Sequence, residues 1–293
     1  MKFEVWPGPM EGVGRGEFAG AAAMLKLAPR WMTPFIRITE VIPAERKIFK
    51  SIVPYLDSGV PVTVQLMGNN ANLLRECAST VTANPAVSGI NLNFGCPSSR
   101  VVKHGAGGAM LKNPALLADL CKTVADGVPG GTVSVKLRSG FINADEMEDI
   151  IPQLTASGVV DKIFFHYRTV SENYSSLPLP LREERIKRAV ELCGSVPLIA
   201  NGDISSVADA ERVVDFTGAA GVMIARPWLR DPFLLRRFSD PDAPAADRGR
   251  ELFFSALKES GITGGALIEL AKLLWGVKSP EFQRCVESLQ SQD

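Results

Sequence analysis

Eight short apolar runs alternate with longer stretches of helical spacing, and this alternation restricts the fold of the chain more than any other feature. The runs cover residues 3–6, 35–38, 62–66, 89–93, 133–137, 162–166, 197–201 and 221–224, with helical spacing over 70–82, 114–125, 144–155, 182–193 and 206–216. Parallel strands need crossovers of about a dozen residues or more, so strand–helix repetition reads as βα units around a parallel sheet. Eight such units ending near residue 240 predict a closed (β/α)8 TIM barrel rather than an open doubly wound sheet. A doubly wound sheet would carry a glycine fingerprint after its first strand, which Pro7-Gly8-Pro9-Met10-Glu11-Gly12 does not supply.

Residues 239–247 are rich in Pro, Asp, Ala and Ser and read as a linker. Beyond them, 248–260, 263–275 and 280–290 have the spacing of three short amphipathic helices. The expected organisation is a barrel over 1–240 and a short helical subdomain over 241–293, too small for much core of its own and therefore packed on the barrel. Hydrophobic residues make up 46% of the chain and charged residues 22%, which fits an ordinary soluble globule. No apolar run reaches membrane-span length, and the opening Met1–Pro7 is too short and mixed for a signal peptide, so a cytoplasmic monomer off the membrane is expected. The 5 cysteines are scattered without a CxxC pair, which predicts neither a disulfide framework nor a metal site. A net charge of zero lends no support to a nucleic-acid partner, although a local basic groove is compatible with it.

The segment Gly89-Ile90-Asn91-Leu92-Asn93-Phe94-Gly95-Cys96-Pro97, followed by Gly105-Ala106-Gly107-Gly108, places one thiol where a strand ends. Barrel enzymes keep their chemistry at the carboxyl ends of the strands. Cys96 is thus a candidate acid or nucleophile, whereas Cys77, Cys121, Cys193 and Cys285 read as small buried hydrophobes. The other strand ends carry Gln65, Asn91, Asn93, Lys136, Arg138, His166, Arg168, Asn201-Gly202-Asp203 and Arg226. Any one of these is equally well a satisfied polar group capping a strand. Together they are costly to bury unless a ligand or a network pairs them. The collection suits a flavin mononucleotide: Gln65 and Lys136 for the pyrimidine edge of the ring, and the turns at Asn201-Gly202-Asp203 and Ala225-Arg226 for the phosphate.

Pro9-Met10-Glu11-Gly12-Val13, Gln65-Leu66-Met67-Gly68, Asn93-Phe94-Gly95-Cys96-Pro97, Lys136-Leu137-Arg138, His166-Tyr167-Arg168-Thr169 and Asn201-Gly202-Asp203-Ile204 follow one another in order. This succession resembles the tRNA-dihydrouridine synthases, and among them the C-type-like bacterial branch that begins PMEGV. The resemblance implies an FMN-dependent oxidoreductase that reduces the C5=C6 bond of uridine in tRNA. NADPH would supply the electrons, a hydride would pass from flavin N5 to C6, and Cys96 would protonate C5. An ordinary cysteine thiol, with a pKa of about 8.5, is protonated at neutral pH and donates without an activating base.

The same resemblance assigns Pro9, Met10, Glu11, Gln65, Lys136, His166, Asn201, Gly202, Asp203, Ala225 and Arg226 to the cofactor, and Asn93, Arg138 and Arg168 to the substrate. Thr169 and Tyr174, on the loop after the sixth expected strand, would lie near the substrate strand, and His104 would sit on a mobile glycine loop. Two departures stand out: Asn91 replaces the family's usual acidic residue, and Ala225-Arg226-Pro227 replaces a glycine–arginine–glycine turn. The tail, whose bases are offset by a similar number of acids, is shorter than the family's helical RNA-binding domain. Two other readings stand beside the leading one. One is an FMN-dependent barrel that reduces a small pyrimidine or an activated alkene; the other is a flavin-free scaffold.

Overall fold

The computed structural model describes residues 3–14, 16–172 and 177–290, with side chains described to residue 287. Its strands are β1 (Glu4–Pro7), β2 (Trp31–Met32), β3 (Ile36–Arg37), β4 (Val62–Met67), β5 (Val87–Phe94), β6 (Thr132–Arg138), β7 (Lys162–His166), β8 (Leu198–Asn201) and β9 (Gly221–Ile224). All pair in parallel, in the order β1-β9-β8-β7-β6-β5-β4-β2, with β3 also on β4. The two short pieces β2 and β3 together fill one barrel position, so eight positions form a nearly closed ring. The expected (β/α)8 barrel is the fold.

One-residue alternation along the strands explains both the core and the site. Val133, Val135 and Leu137 of β6, with Ile90, Leu92 and Phe94 of β5, face outward into the main core beneath the helices. Residues of the opposite parity face inward. There the register pairs Asn93 with Lys136, Lys136 with Phe164, Arg138 with His166, and His166 with Asn201. On the side formed by β1, β2 and β7 to β9 the barrel interior is filled by Trp6, Met32, Phe164, Ile199 and Met223. Trp6 and Phe164 meet edge to face, with ring centroids 5.0 Å apart. At the amino end, Glu4 accepts hydrogen bonds from Lys162 at 2.6 Å and Arg30 at 2.7 Å. Cations on both sides of one carboxylate thus seal the floor, leaving the opposite mouth for polar side chains.

The sequence reading and the structure differ in the second barrel position. A single strand over 35–38 was expected, but the position is filled by β2 and β3, with Thr33-Pro34-Phe35 between them. Pro34 has no N–H for the ladder, and the backbone N–H of Gln65 donates to the Thr33 hydroxyl at 3.1 Å instead of to a carbonyl. The resulting kink carries Pro34 and Phe35 into the wall of the mouth. Two helices, Gly16–Met24 and Glu45–Leu56, lie outside the stretches whose spacing announces a helix. Gly and Ala make up six of the nine residues of the first, so it has little amphipathic contrast, and the second contains Pro54.

The tail helices Ala246–Glu259, Gly264–Trp275 and Pro280–Gln290 fall close to their expected ranges. Phe253 of the first packs edge to face on Phe18 of Gly16–Met24, centroids 5.2 Å apart. Phe253, Leu257, Leu267 and Leu274 belong to the same buried cluster as the barrel helices. Among the described residues no helix is long and apolar enough to cross a membrane.

Candidate active site

The carboxyl ends of the strands surround a cavity of about 280 Å³. Its lining includes Pro9, Met10 and Glu11 from the turn after β1, Gln65 from β4, Asn93 and Cys96 from β5, and Lys136 and Arg138 from β6. His166 comes from β7, Asn201, Gly202 and Asp203 from β8, and Ala225 and Arg226 from the turn after β9. The strand ends thus bring together the expected catalytic, cofactor and substrate residues except Arg168, and Thr169 too lies outside this lining. Tyr174 lies outside the described residues.

A chain of hydrogen bonds fixes the turn that carries Cys96. Ser134 Oγ donates to the Ile90 carbonyl at 3.1 Å and accepts from Asn91 Nδ2 at 2.9 Å. Asn91 Oδ1 accepts from Gln65 Nε2 at 2.8 Å, and Gln65 Oε1 accepts from Asn93 Nδ2 at 2.9 Å. Asn93 Oδ1 then accepts the backbone N–H groups of Gly95, at 3.1 Å, and of Cys96, at 3.0 Å. Each bond dictates the next amide's orientation, so the direction set at Ser134 propagates across three strands to the thiol turn. Gln65, fully buried, is committed at both ends of its amide, while Asn93 keeps one Nδ2 hydrogen for a ligand.

Asn91→Leu would strand the Gln65 amide and is expected to cost about 1–3 kcal/mol. Asn91→Asp keeps the acceptor for Gln65 but loses the donor to Ser134, so Ser134 must reverse its hydroxyl, and a smaller loss is expected. Urea unfolding of the two variants checks this; equal losses in both would contradict the relay.

The other side of the Cys96 turn is held as tightly. Arg138 donates through Nε to the Gly95 carbonyl at 2.9 Å and through Nη1 to the Thr169 carbonyl at 2.7 Å. It therefore braces the thiol turn against the loop after β7 as well as lining the cavity. The glycine run is packed on the same turn: Gly108 N–H donates to the Cys96 carbonyl at 3.0 Å. Gly107 has φ +57°, and a Cβ there would lie 3.0 Å from Cys96 Cβ and 2.8 Å from Val101, so only glycine fits. His104 is exposed on the outside of this loop, with its carbonyl accepting from Asn69. All five cysteines are free; Cys96 alone is half-buried, and the other four are buried. Burial raises the thiols of Cys77, Cys121 and Cys193 to about 11, 12 and 12.

Lys136 and His166 mark the ligand side of the cavity. Desolvation, then the nearby Arg138 charge, pushes Lys136 down to about 8. Burial, reinforced by Arg138, Lys136, Arg168 and Arg226, holds His166 well below its ordinary 6.5. Its buried Nδ1 has no hydrogen-bond partner among the described residues. A histidine that stays neutral when folded gives a pH signature: the unfolded chain takes up this proton near pH 6.5 and the folded chain does not. Stability therefore falls as pH drops below 6.5, by up to about 1.4 kcal/mol per pH unit. Urea unfolding at pH values above and below 6.5 measures this loss. His166→Gln is expected to abolish it; a slope that survives in the variant would contradict the assignment.

Asp203 lines the cavity in the turn expected to meet a phosphate through its backbone, and its side chain is engaged elsewhere. Its carboxylate accepts from the Tyr167 hydroxyl and from Arg168 at 2.7 Å, and pairs with Arg182 at 3.4 Å and Arg226 at 3.5 Å. Burial opposes its ionisation, but the Tyr167 and Arg168 hydrogen bonds and the arginine charges outweigh this and hold it below the usual carboxylate range. The carboxylate is thus an anchor for arginines, and only the backbone of this turn is left for an anion. That turn is left-handed, with φ +123° at Gly202 and +49° at Asp203.

Arg168, expected beside the substrate, does not line the cavity. It is buried against Asp203 with its guanidinium 4.7 Å from the Tyr167 ring centroid, outside the cavity lining. Strand alternation ends at His166, so the inward parity no longer applies two residues later. Pro34, Phe35 and Met223 also line the cavity without having been anticipated. For Phe35 a signal existed in the adjacent Pro34, which marks a break in the strand.

Residues 9–251 match the family model for dihydrouridine synthase (Dus). This chain belongs to the dihydrouridine synthase family. The tRNA-dihydrouridine(16) synthase of Cupriavidus necator is 35% identical over 215 residues, which are 70% of this chain and 64% of that protein. The tRNA-dihydrouridine(16) synthase of Vibrio parahaemolyticus is 32% identical over 234 residues, 78% of this chain and 71% of that one. A human tRNA-dihydrouridine(20a/20b) synthase [NAD(P)+]-like protein is 36% identical over 61% of this chain and 55% of its own. This family member therefore spans somewhat over half to about seven-tenths of such relatives. The structure of a 2-naphthoyl-CoA reductase bound to 2-naphthoyl-CoA shares the fold alone, with a TM-score of 0.65 at 9% identity over 89% of this chain and 54% of that one. Among the described residues no group of three His, Cys, Asp or Glu side chains is placed to hold a metal.

Proposed function

We propose that this chain reduces the C5=C6 bond of uridine in tRNA to 5,6-dihydrouridine, with FMN as cofactor and NADPH as electron donor. The observation that carries the reading is one cavity in which a single accessible thiol lies with Lys136 and the unpartnered Nδ1 of His166. The ammonium and that ring nitrogen fit a ligand with an electron-rich edge, as the pyrimidine side of a flavin provides. Lys136, His166 and Gln65 would border that edge, the backbone of Pro9 to Glu11 the ring, and the backbone at Gly202, Asp203 and Ala225 with Arg226 the phosphate. When bound, the flavin supplies the hydride for uracil C6. Cys96 holds the proton for C5 on its Sγ. Asn93 offers its remaining Nδ2 hydrogen to the base, and Arg138 keeps the Cys96 turn in place.

The bacterial relatives named above support position 16 as the first to examine. Purified protein loaded with FMN and supplied with NADPH should convert unmodified tRNA far faster than free uracil or a simple enone. Preference for the small alkenes by orders of magnitude would replace this reading with a small-molecule reductase. A colourless protein that cannot be reconstituted with FMN would point instead to the scaffold.

A further inference from the structure

Arg46 and Lys47 occupy the first turn of the helix Glu45–Leu56, and Lys50 the second. A helix N-terminus carries partial positive charge, so cations in its first turn are locally unfavourable. None of the three has an acidic partner among the described residues, although Glu40 and Glu45 are on the same segment. Local structure therefore does not explain why they are there.

Their location does. Lys47 borders a surface depression whose walls include Glu11, Pro34 and Phe35, and these three also line the cavity. Phe35 and Cys96 pack on the same small cluster as Val101. Arg100 and Lys103 flank Val101, and Arg37 donates to the Arg100 carbonyl at 3.5 Å, tying the two rim segments together. Lys47 on one side, and Arg37, Arg100 and Lys103 on the other, thus border the segments that carry Phe35 and Cys96. The tail is the opposite case: Arg248, Arg250, Lys272 and Arg284 are each paired with an acid three residues away in the same helix.

We infer that the rim formed by Arg37, Arg46, Lys47, Lys50, Arg100 and Lys103 is the surface that holds the phosphate backbone of the RNA, in place of the tail, whose acids outnumber its bases. The inference rests on the tRNA reading above and adds where the nucleic acid lies. A base entering the cavity brings its flanking phosphates to the mouth, and phosphates are what unpaired Lys and Arg side chains contact without regard to sequence. The surface acts by releasing counterions, so its contribution is salt-dependent.

The test measures binding of unmodified tRNA to the FMN-loaded full-length protein over a range of salt. Arg46→Glu/Lys47→Glu/Lys50→Glu is compared with Arg248→Glu/Lys278→Glu/Arg284→Glu. Glutamates at 46 and 47 suit the first helical turn and Lys50 is exposed, so the rim variant should fold, and NADPH-driven flavin reduction checks that it does. The rim variant is expected to bind tRNA at least about tenfold more weakly, with the salt slope smaller by about 2–3, as for the loss of three phosphate contacts. KM for tRNA should rise while kcat changes little, and the tail variant should stay within about twofold of the parent. A rim variant with unchanged affinity and slope overturns the inference, whichever way the tail variant behaves, and leaves the rim for an acidic protein partner. A parent protein that binds no tRNA yet reduces free uracil removes the tRNA reading itself, and this inference with it.

Discussion

Cys96→Ala is expected to leave flavin binding and NADPH oxidation nearly intact while slowing uridine reduction by about 10²–10⁴-fold, the usual contribution of a general acid. The separation follows from the geometry. Gly95 and Cys96 are held through their backbone N–H groups, Gly108 through the Cys96 carbonyl, and Arg138 through the Gly95 carbonyl. None of these contacts involves the sulfur, so truncating the side chain removes a proton without releasing the turn. Cys96→Ser keeps the shape and substitutes a far weaker acid, so it should remain close to the alanine variant in rate. Stopped-flow reoxidation of the prereduced flavin by tRNA reads the step directly. Full activity in Cys96→Ala would refute the proton-donor role.

Lys136→Met is expected to do the reverse: bind FMN about 10–100-fold more weakly, the loss expected for one charge-assisted hydrogen bond, while the flavin-free protein gains stability. Burial and Arg138 push Lys136 from 10.5 down to about 8, so the folded cavity disfavours its charge. The unfolded chain binds this proton up to pH 10.5, so between about 8 and 10.5 folding becomes more favourable as pH rises. Below 8 the full cost of charging Lys136 is present, and Lys136→Met should relieve on the order of 1–3 kcal/mol of it. Flavin affinity should fall above pH 8 in the parent and be nearly flat in the variant. Isothermal titration with FMN at several pH values and urea unfolding of the flavin-free protein check the two halves. A variant that binds FMN as tightly as the parent would contradict the ligand role of Lys136.

Both sites were legible in the sequence because strand alternation is strict. In Thr132-Val133-Ser134-Val135-Lys136-Leu137-Arg138 the apolar residues face the helices and Ser134, Lys136 and Arg138 face inward, so a polar mouth follows from one line of sequence. Two kinds of information were not legible. The amide relay joins Gln65, Asn91, Asn93 and Ser134, which lie on three different strands and are brought to one level only by barrel register. Nothing local in the sequence reports that register.

The second kind concerns residues beyond a strand end. Arg168 and Asp203 both follow an inward residue, yet one is buried behind the cavity and the other turns its carboxylate toward three arginines. Once the ladder stops, direction is set by partners rather than by parity. The divided second strand has the same origin: Pro34 signals a break, but the Thr33 hydroxyl that takes over the Gln65 N–H appears only in the folded barrel.

The most direct test is to map dihydrouridine in tRNA incubated with the purified, FMN-loaded protein and NADPH, using tRNA from cells that make no dihydrouridine. The account predicts uridine gaining two hydrogens at one defined position, with position 16 the first to inspect, and loss of that product with Cys96→Ala. Unchanged tRNA, from a protein whose flavin is nevertheless reduced by NADPH, would contradict it.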